Sequence, residues 1–554
     1  MNSQISTKKN IRLGLLVAGI IALVLITITR FSAFLGRIPV SFVVGNSQPA
    51  AGVFVSKLSP AMVSLLVNPD TLQRLEQKGE FSLLKKRLLA KSNIDYKNDI
   101  KPWLSDEITL AVATIDIDRD PTNGLQTGYL MALKTAEIEK SREFLELLFS
   151  ERAFTGANLG VEKYQGIKVI YDHFEDSQLE KIQNNLAGAI VNNFVLLSNH
   201  PKIIKEAINN LQVPDLSLVS SLEYQKASQQ IPDNSLAVTF LNLPLVSKWQ
   251  GLELAGSTYN SQILSLILNS QGVLAESTFL TPGEVIPPSV PLSKPVTALK
   301  YIPESTALAI AGSNLNNLDH SDLGKLWTQV TATIYGANED AISRLVKPLV
   351  DIQKSWSLNF NQDIFRWVTG EYALALLPDA DTSPHWLFVV EKTPDLAVGI
   401  AHLDQIASSH DLNISSLTLD GQKISAWTQI TATSENNQSI IVDTTIKAVH
   451  TTLDNCEIFS SDLETLTAVL SQKQKSLLEN SQFKNAVTAI PQPNQGYIYL
   501  DWENGQDILK HQLPILKFVE VLGKPLFENL RSLTVSSYSS KPGTIKGGVF
   551  FQLH

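Results

Sequence analysis

Asp99-Ile100-Lys101-Pro102-Trp103-Leu104-Ser105-Asp106-Glu107 returns 264 positions later as Asp363-Ile364-Phe365-Arg366-Trp367-Val368-Thr369-Gly370-Glu371. Aspartate, tryptophan and glutamate keep the same spacing, and both copies run into apolar stretches, residues 108–115 and 372–377. A bulky ring ahead of a strand is placed to plug the end of a core. A glutamate there can hold a turn by accepting backbone N–H bonds. Asp99, Trp103, Glu107, Asp363, Trp367 and Glu371 therefore read as a repeated structural motif.

Further matches follow in the same order on either side. Ser59-Pro60 ahead of residues 62–67 resembles Ile302-Pro303 ahead of 306–310. Residues 130–135 resemble 388–393, 164–169 resemble 419–424, 193–198 resemble 455–460, and 224–242 resemble 483–501. The spacings are similar: 243 from Leu65 to Leu308, 258 from Lys134 to Lys392, and 259 from Tyr224 to Phe483. Between the two series lies Pro282-Gly283-Glu284-Val285-Ile286-Pro287-Pro288-Ser289-Val290-Pro291-Leu292-Ser293-Lys294-Pro295, which resists helix and central strand and reads as a stiff linker. Shared order around a linker implies an internal duplication.

The size and composition suit that organisation. The 554 residues are 44 % hydrophobic and 18 % charged, enough apolar matter for sizeable cores and too little charge for a disordered chain. A net charge of −9 argues against a nucleic-acid partner, which would want a basic face. A single cysteine, Cys456, excludes an internal disulfide and a multi-cysteine metal site.

Short β-rich runs alternate with helical segments in each copy. Strands are expected at 63–67, 108–115, 128–133, 167–171, 187–191, 194–198, 236–241, 264–269 and 273–280. Tyr164-Gln165-Gly166, Val191-Asn192-Asn193 and Ser270-Gln271-Gly272 are hairpin-like turns. Strands joined so briefly are antiparallel. Thr135 and Thr393, the latter before Pro394, suit helix N-caps, as do Asn199 and Ser461. The expected fold class is α+β: two tandem, internally duplicated units of antiparallel sheet with packed helices, after an N-terminal transmembrane helix. The expected boundaries are an anchor and juxtamembrane segment 1–45 (helix about 13–30), a first unit 46–281, a linker 282–297 and a second unit 298–554.

The anchor is read from Lys8, Lys9 and Arg12 ahead of the uncharged apolar run 13–29, closed by Arg30. Seventeen residues is at the short edge of a membrane span, and 31–37 offers no good small-x-small cleavage site. An uncleaved signal anchor with a cytoplasmic tip is expected, the body lying outside the cytoplasm. A cleaved signal peptide would export the same body.

Chemistry is sparse. None of the nine histidines forms a close ligand pair, and each reads as a satisfied surface residue. No nucleophile elbow, phosphate-binding loop or dinucleotide fingerprint appears. No catalytic residue and no cofactor is expected. Asp116, Asp118 and Asp120 resemble the start of a calcium loop, but Pro121 stands where glycine is needed and Thr127 where a bidentate glutamate is wanted. They are weak metal candidates in what reads as a solvated hairpin loop. Lys85, Lys86, Arg87 and Lys91 mark a solvated helix face or, more sharply, a lipid-headgroup contact.

The matched segments resemble an uncharacterised, mainly cyanobacterial family, domain of unknown function three-three-five-two, over nearly the whole chain. The D-I-x-P-W-L-x-D-E segment carries that resemblance most specifically. It implies no activity. It does imply a photosynthetic bacterial source, with the thylakoid lumen or the periplasm as destination. The expected function is a membrane-anchored, non-catalytic binding or scaffold protein with a protein partner in or at the membrane, assisting assembly or maintenance of membrane complexes, photosynthetic ones included. The alternatives are an extracytoplasmic hydrolase or envelope-modifying enzyme, and a lipid or small-ligand carrier.

Overall fold

A computed structural model describes residues 48–66, 96–120, 122, 124–172, 185–250, 259–269, 271–280, 291–316, 358–378, 384–419, 421–435, 439–471, 474–505, 530–541 and 543–553. Two compact units divide the chain, the first on Met1–Val285 with Pro542–Thr544 and the second on Ile286–Lys541 and Ile545–His554. The division falls inside the proline stretch. The expected anchor and the basic residues 85–91 lie outside the described residues. Among those described, no helix is long and apolar enough to cross a membrane.

Among its described residues the first unit holds ten strands: β1 (Ala61–Leu65), β2 (Leu104–Thr114), β3 (Gly128–Thr135), β4 (Leu159–Tyr164), β5 (Ile167–Asp172), β6 (Ala187–Val191), β7 (Phe194–Ser198), β8 (Ser235–Asn242), β9 (Ser261–Asn269) and β10 (Gly272–Leu280). They pair in the order β4-β5-β6-β7-β3-β2-β1-β8-β9-β10, antiparallel throughout. Among the described residues, its α-helices are α1 (Ile138–Phe154), α2 (Pro201–Gln212), α3 (Leu222–Ser228) and α4 (Leu243–Gln250).

The second unit holds β11 (Leu308–Gly312), β12 (Tyr372–Leu377), β13 (His385–Glu391), β14 (Asn413–Leu419), β15 (Gln422–Glu435), β16 (Ser439–Leu453), β17 (Cys456–Ser460), β18 (Tyr497–Asp501), β19 (Leu530–Lys541) and β20 (Thr544–Leu553). Their order, β14-β15-β16-β17-β13-β12-β11-β18-β19-β20, is that of the first unit strand for strand. Among the described residues, its helices are a single turn at Phe360–Asp363, then α5 (Leu396–Ser409), α6 (Leu463–Leu470) and α7 (Ser481–Ala489).

Pairing fixes the correspondence to the residue. Leu65 opposes Ile108, and Gly312 opposes Tyr372, so Leu65 answers to Gly312. The sequence match of Leu65 to Leu308 is thus four residues out of register, and that of Lys134 to Lys392 is one out, since Lys134 opposes Phe194 as Glu391 opposes Cys456. Apolar runs of similar composition slide easily in an ungapped comparison; backbone partners do not.

Strands β7 and β17 are buried along their whole length, with no apolar–polar alternation. The reason in the first unit is that helices cover both faces. Phe194 and Leu196 pack with Ile203, Ile204 and Ala207 of α2. Val195 and Leu197 face Phe144, Leu145, Leu148 and Phe149 of α1.

Helix starts differ from expectation by one or two residues. The Thr135 hydroxyl donates to the Trp103 carbonyl and accepts from Glu137 N, so it closes β3 and α1 begins with Glu137 as its cap. Pro394 precedes the cap Asp395 of α5. Asn199 and Ser461 instead accept from the backbone N–H of Tyr129 and Trp386, and His200 and Asp462 take the cap positions of α2 and α6.

Candidate functional site

The repeated motif forms a joint in each unit. The Trp103 indole N–H donates to the Asp99 carbonyl at 2.6 Å, and that of Trp367 to the Asp363 carbonyl at 2.7 Å. Both rings are buried. Glu107 is 3 % exposed and accepts from the backbone N–H of Ala50 and Ala51 and from the Thr109 hydroxyl, each at 2.9 Å. Three donors stand in for the water a buried carboxylate loses. Half-buried Glu371 accepts from Thr297 N at 2.6 Å. Ala50 and Thr297 open matching helical turns, Ala50–Val53 and Thr297–Tyr301. The carboxylates lock an entering turn to the sheet.

Matched joints recur nearby. Ser221 and Asn480 cap α3 and α7. Tyr224 meets Phe240 edge-on at 5.2 Å, and Phe483 meets Tyr499 at 5.1 Å. Burial, and then the Glu107 charge, push the Tyr224 hydroxyl far above its ordinary pKa.

Among the described residues, a cluster of polar and aromatic groups lies on the α5 side of the second unit, where sequence reasoning expected no chemistry. His450 Nδ1 is 2.7 Å from Glu457 Oε1, and Glu457 Oε2 accepts from the Thr452 hydroxyl at 2.6 Å. Both members of the pair are buried. The imidazole lies 5.2 Å from the rings of Trp427 and Phe459. Trp427 donates to Asp404 of α5 at 2.8 Å, and His402 on the same helix meets Asp363 at 2.8 Å. His450 is therefore a core residue, contrary to the surface reading. The overlooked signal was a lone glutamate inside the buried strand Cys456–Ser460, one hairpin turn from a histidine. Across that antiparallel pair His450 opposes Phe459, which makes Glu457 its diagonal neighbour on the same face.

The aspartate loop is arranged otherwise than a cation cage. Asp118 accepts from Asp120 N, Asp120 from Thr122 N and Oγ1, and Asp116 from Gln126 N. These are turn-closing bonds. The Thr122 bonds draw the Asp120 pKa down. Among the described residues, no group of three or more His, Cys, Asp or Glu is placed to hold a metal ion. Cys456 is buried in β17 at the position of Phe194, and burial, reinforced by Glu391, Glu371 and Asp454, pushes its thiol up to about 11, the opposite of nucleophile activation.

Fold and joints together define an α+β protein of two sheet-and-helix units held by the same tryptophan–glutamate connection. The chain belongs to the family described as "Protein of unknown function (DUF3352)", whose model matches residues 16–553 and so spans both units. No curated protein matches the chain. A solved structure titled "Structure of crystal form I of TP0453" is similar at 10 % identity and a TM-score of 0.24, over 43 % of this chain and 81 % of that one.

Proposed function

We propose that this protein is a membrane-anchored, extracytoplasmic binding scaffold built from two copies of one α+β unit. One observation carries the reading: the residues that recur between the halves, Trp103 and Trp367, Glu107 and Glu371, are engaged in bonds inside their own unit. A duplicated framework whose common residues hold the framework leaves its surfaces to diversify and recognise partners. The apolar run 13–29 between basic flanks supplies the tether and puts the body in the periplasm or thylakoid lumen of a photosynthetic bacterium. The partner is a protein in or at that membrane, with assembly or upkeep of membrane complexes as the task. The test is affinity purification of the full-length chain from membranes solubilised in mild detergent. A partner recovered in stoichiometric amount is expected; a chain that emerges alone from intact complexes contradicts the reading.

A further inference from the structure

The first unit carries a compact apolar surface that its counterpart lacks. Leu58 is 67 % exposed and Leu222 69 %, with Leu216 and Val213 also exposed. Backbone bonds gather them onto one surface: Lys57 N donates to the Leu216 carbonyl, Leu216 N to Val213, Leu218 N to Val55 and Ser221 N to Leu218. The second unit repeats the scaffold, with Glu304 N bonded to the Lys475 carbonyl and Leu477 N to Ile302. By that correspondence Leu58, Leu216 and Leu222 answer to Ser305, Lys475 and Ser481, all polar and exposed. The same backbone surface is greasy in one unit and polar in the other, so the fold does not require the leucines there.

Their place in the chain indicates what meets them. Leu58 follows by ten positions the first described residue, Gln48, which is itself 18 positions after Arg30 at the end of the apolar N-terminal run. Eighteen residues, even fully extended, reach no more than about 60 Å. The exposed charges beside the leucines, Lys57 and Lys226 against Asp215 and Glu223, balance. An apolar surface with no net charge, on the unit nearest the tether, suits the headgroup–acyl boundary of a bilayer.

We propose that Leu58, Val213, Leu216 and Leu222 rest on the membrane that holds the anchor, fixing the first unit's orientation to the bilayer. This deepens the membrane-anchored reading and rests on it. The test uses the full chain in phosphatidylcholine vesicles carrying a nitroxide-headgroup lipid, with a fluorophore on Leu58→Cys or, as control, Ser305→Cys; the unsubstituted chain with its buried Cys456 is the labelling blank. Lipid nitroxide should quench the label at 58 several-fold more than that at 305, without any anionic lipid. Adding Leu216→Asp and Leu222→Asp should abolish the difference while the circular dichroism stays unchanged. Vesicles that float with the chain but quench the two labels equally overturn this proposal alone. That result, with the label at 58 shielded from aqueous iodide as well, points to another segment of this chain or a second copy of it as the cover. A chain that does not float removes the anchor and this proposal with it.

Discussion

The α1 side of the first unit and the α5 side of the second occupy the same place in the same strand order, yet they are filled by opposite means. In the first unit the helix supplies the bulk: Leu145 and Phe149 close over Gly188, where a Cβ would come within 2.9 Å of either. In the second the sheet supplies it: His450 stands at the position of Gly188, Glu457 at that of Val195, Phe459 at that of Leu197 and Trp427 at that of Asp172. On the facing helix, Gly399 is set against the Trp367 ring so closely that no Cβ fits. The bulk comes from the helix in one unit and from the sheet in the other, two ways to fill one closely packed place. The polar groups pair locally in each case: Asp172 with Arg152 in the first unit, His450 with Glu457 in the second. What both units keep is the joint, and what differs is the filling around it.

Breaking the joint should have the largest effect. Trp103→Ala and Trp367→Ala each should cost about 4 kcal/mol in their own unit, the usual loss for a buried large aromatic. Hydrogen exchange read separately in each unit checks this. His450→Ala should cost about 3 kcal/mol by leaving the Glu457 carboxylate buried without its partner. Adding Glu457→Val, the first unit's choice at that position, should restore part of the loss; a double variant no better than the single would mean the pair is not exchangeable for apolar filling. Glu107→Ala should cost about 2 kcal/mol because the buried N–H of Ala51 and the part-buried N–H of Ala50 lose their acceptor, and Glu371→Ala about 1 kcal/mol because that site is half open to water.

Two smaller effects depend on pH. The His200 ring must be neutral to accept from Lys202 N as the cap of α2, and burial together with the Lys202 and Lys205 charges lowers its pKa below 6.5. Its contribution is therefore full above 6.5 and lost as pH falls through the lowered folded value. His200→Asn, which caps without titrating, should narrow the gap between melting temperatures at pH 7.5 and 5.5. Burial raises the pKa of Asp501, whose carboxylate accepts from Asn504 N where Asn242 accepts from Leu245 N in the first unit. A raised folded pKa favours the protonated carboxyl, so the stability that the protonated form lends is full below the ordinary value of 3.8 and is lost as pH rises through the raised folded value. Asp501→Asn should gain under about 1 kcal/mol at neutral pH.

Much of the framework was legible in the sequence because turns and strands leave local marks. Strands 187–191 and 194–198 were placed to the residue, since their hairpin needs a left-handed turn residue that Asn192 supplies. The same signal placed Gly166 and Gly421 in matching turns. Strand β4 escaped because Leu159–Tyr164 exposes its valine and half-buries a glutamate, so its burial alternates while its side-chain polarity does not follow. The joint residues could be named, but not their partners, because Ala50 and Thr297 are chosen by backbone position and not by side chain. The His450–Glu457 pair was invisible for a related reason: its meaning lies in burial, which seven residues of sequence separation do not display.

The most direct test of the shared joint is hydrogen exchange at Ala50, Ala51 and Thr297 in Glu107→Ala and Glu371→Ala chains. Glu107→Ala should strip protection from the amides of Ala50 and Ala51 and leave Thr297 unchanged, while Glu371→Ala should do the reverse. Amides that stay protected in both variants would contradict the claim that each carboxylate locks the entering turn of its own unit.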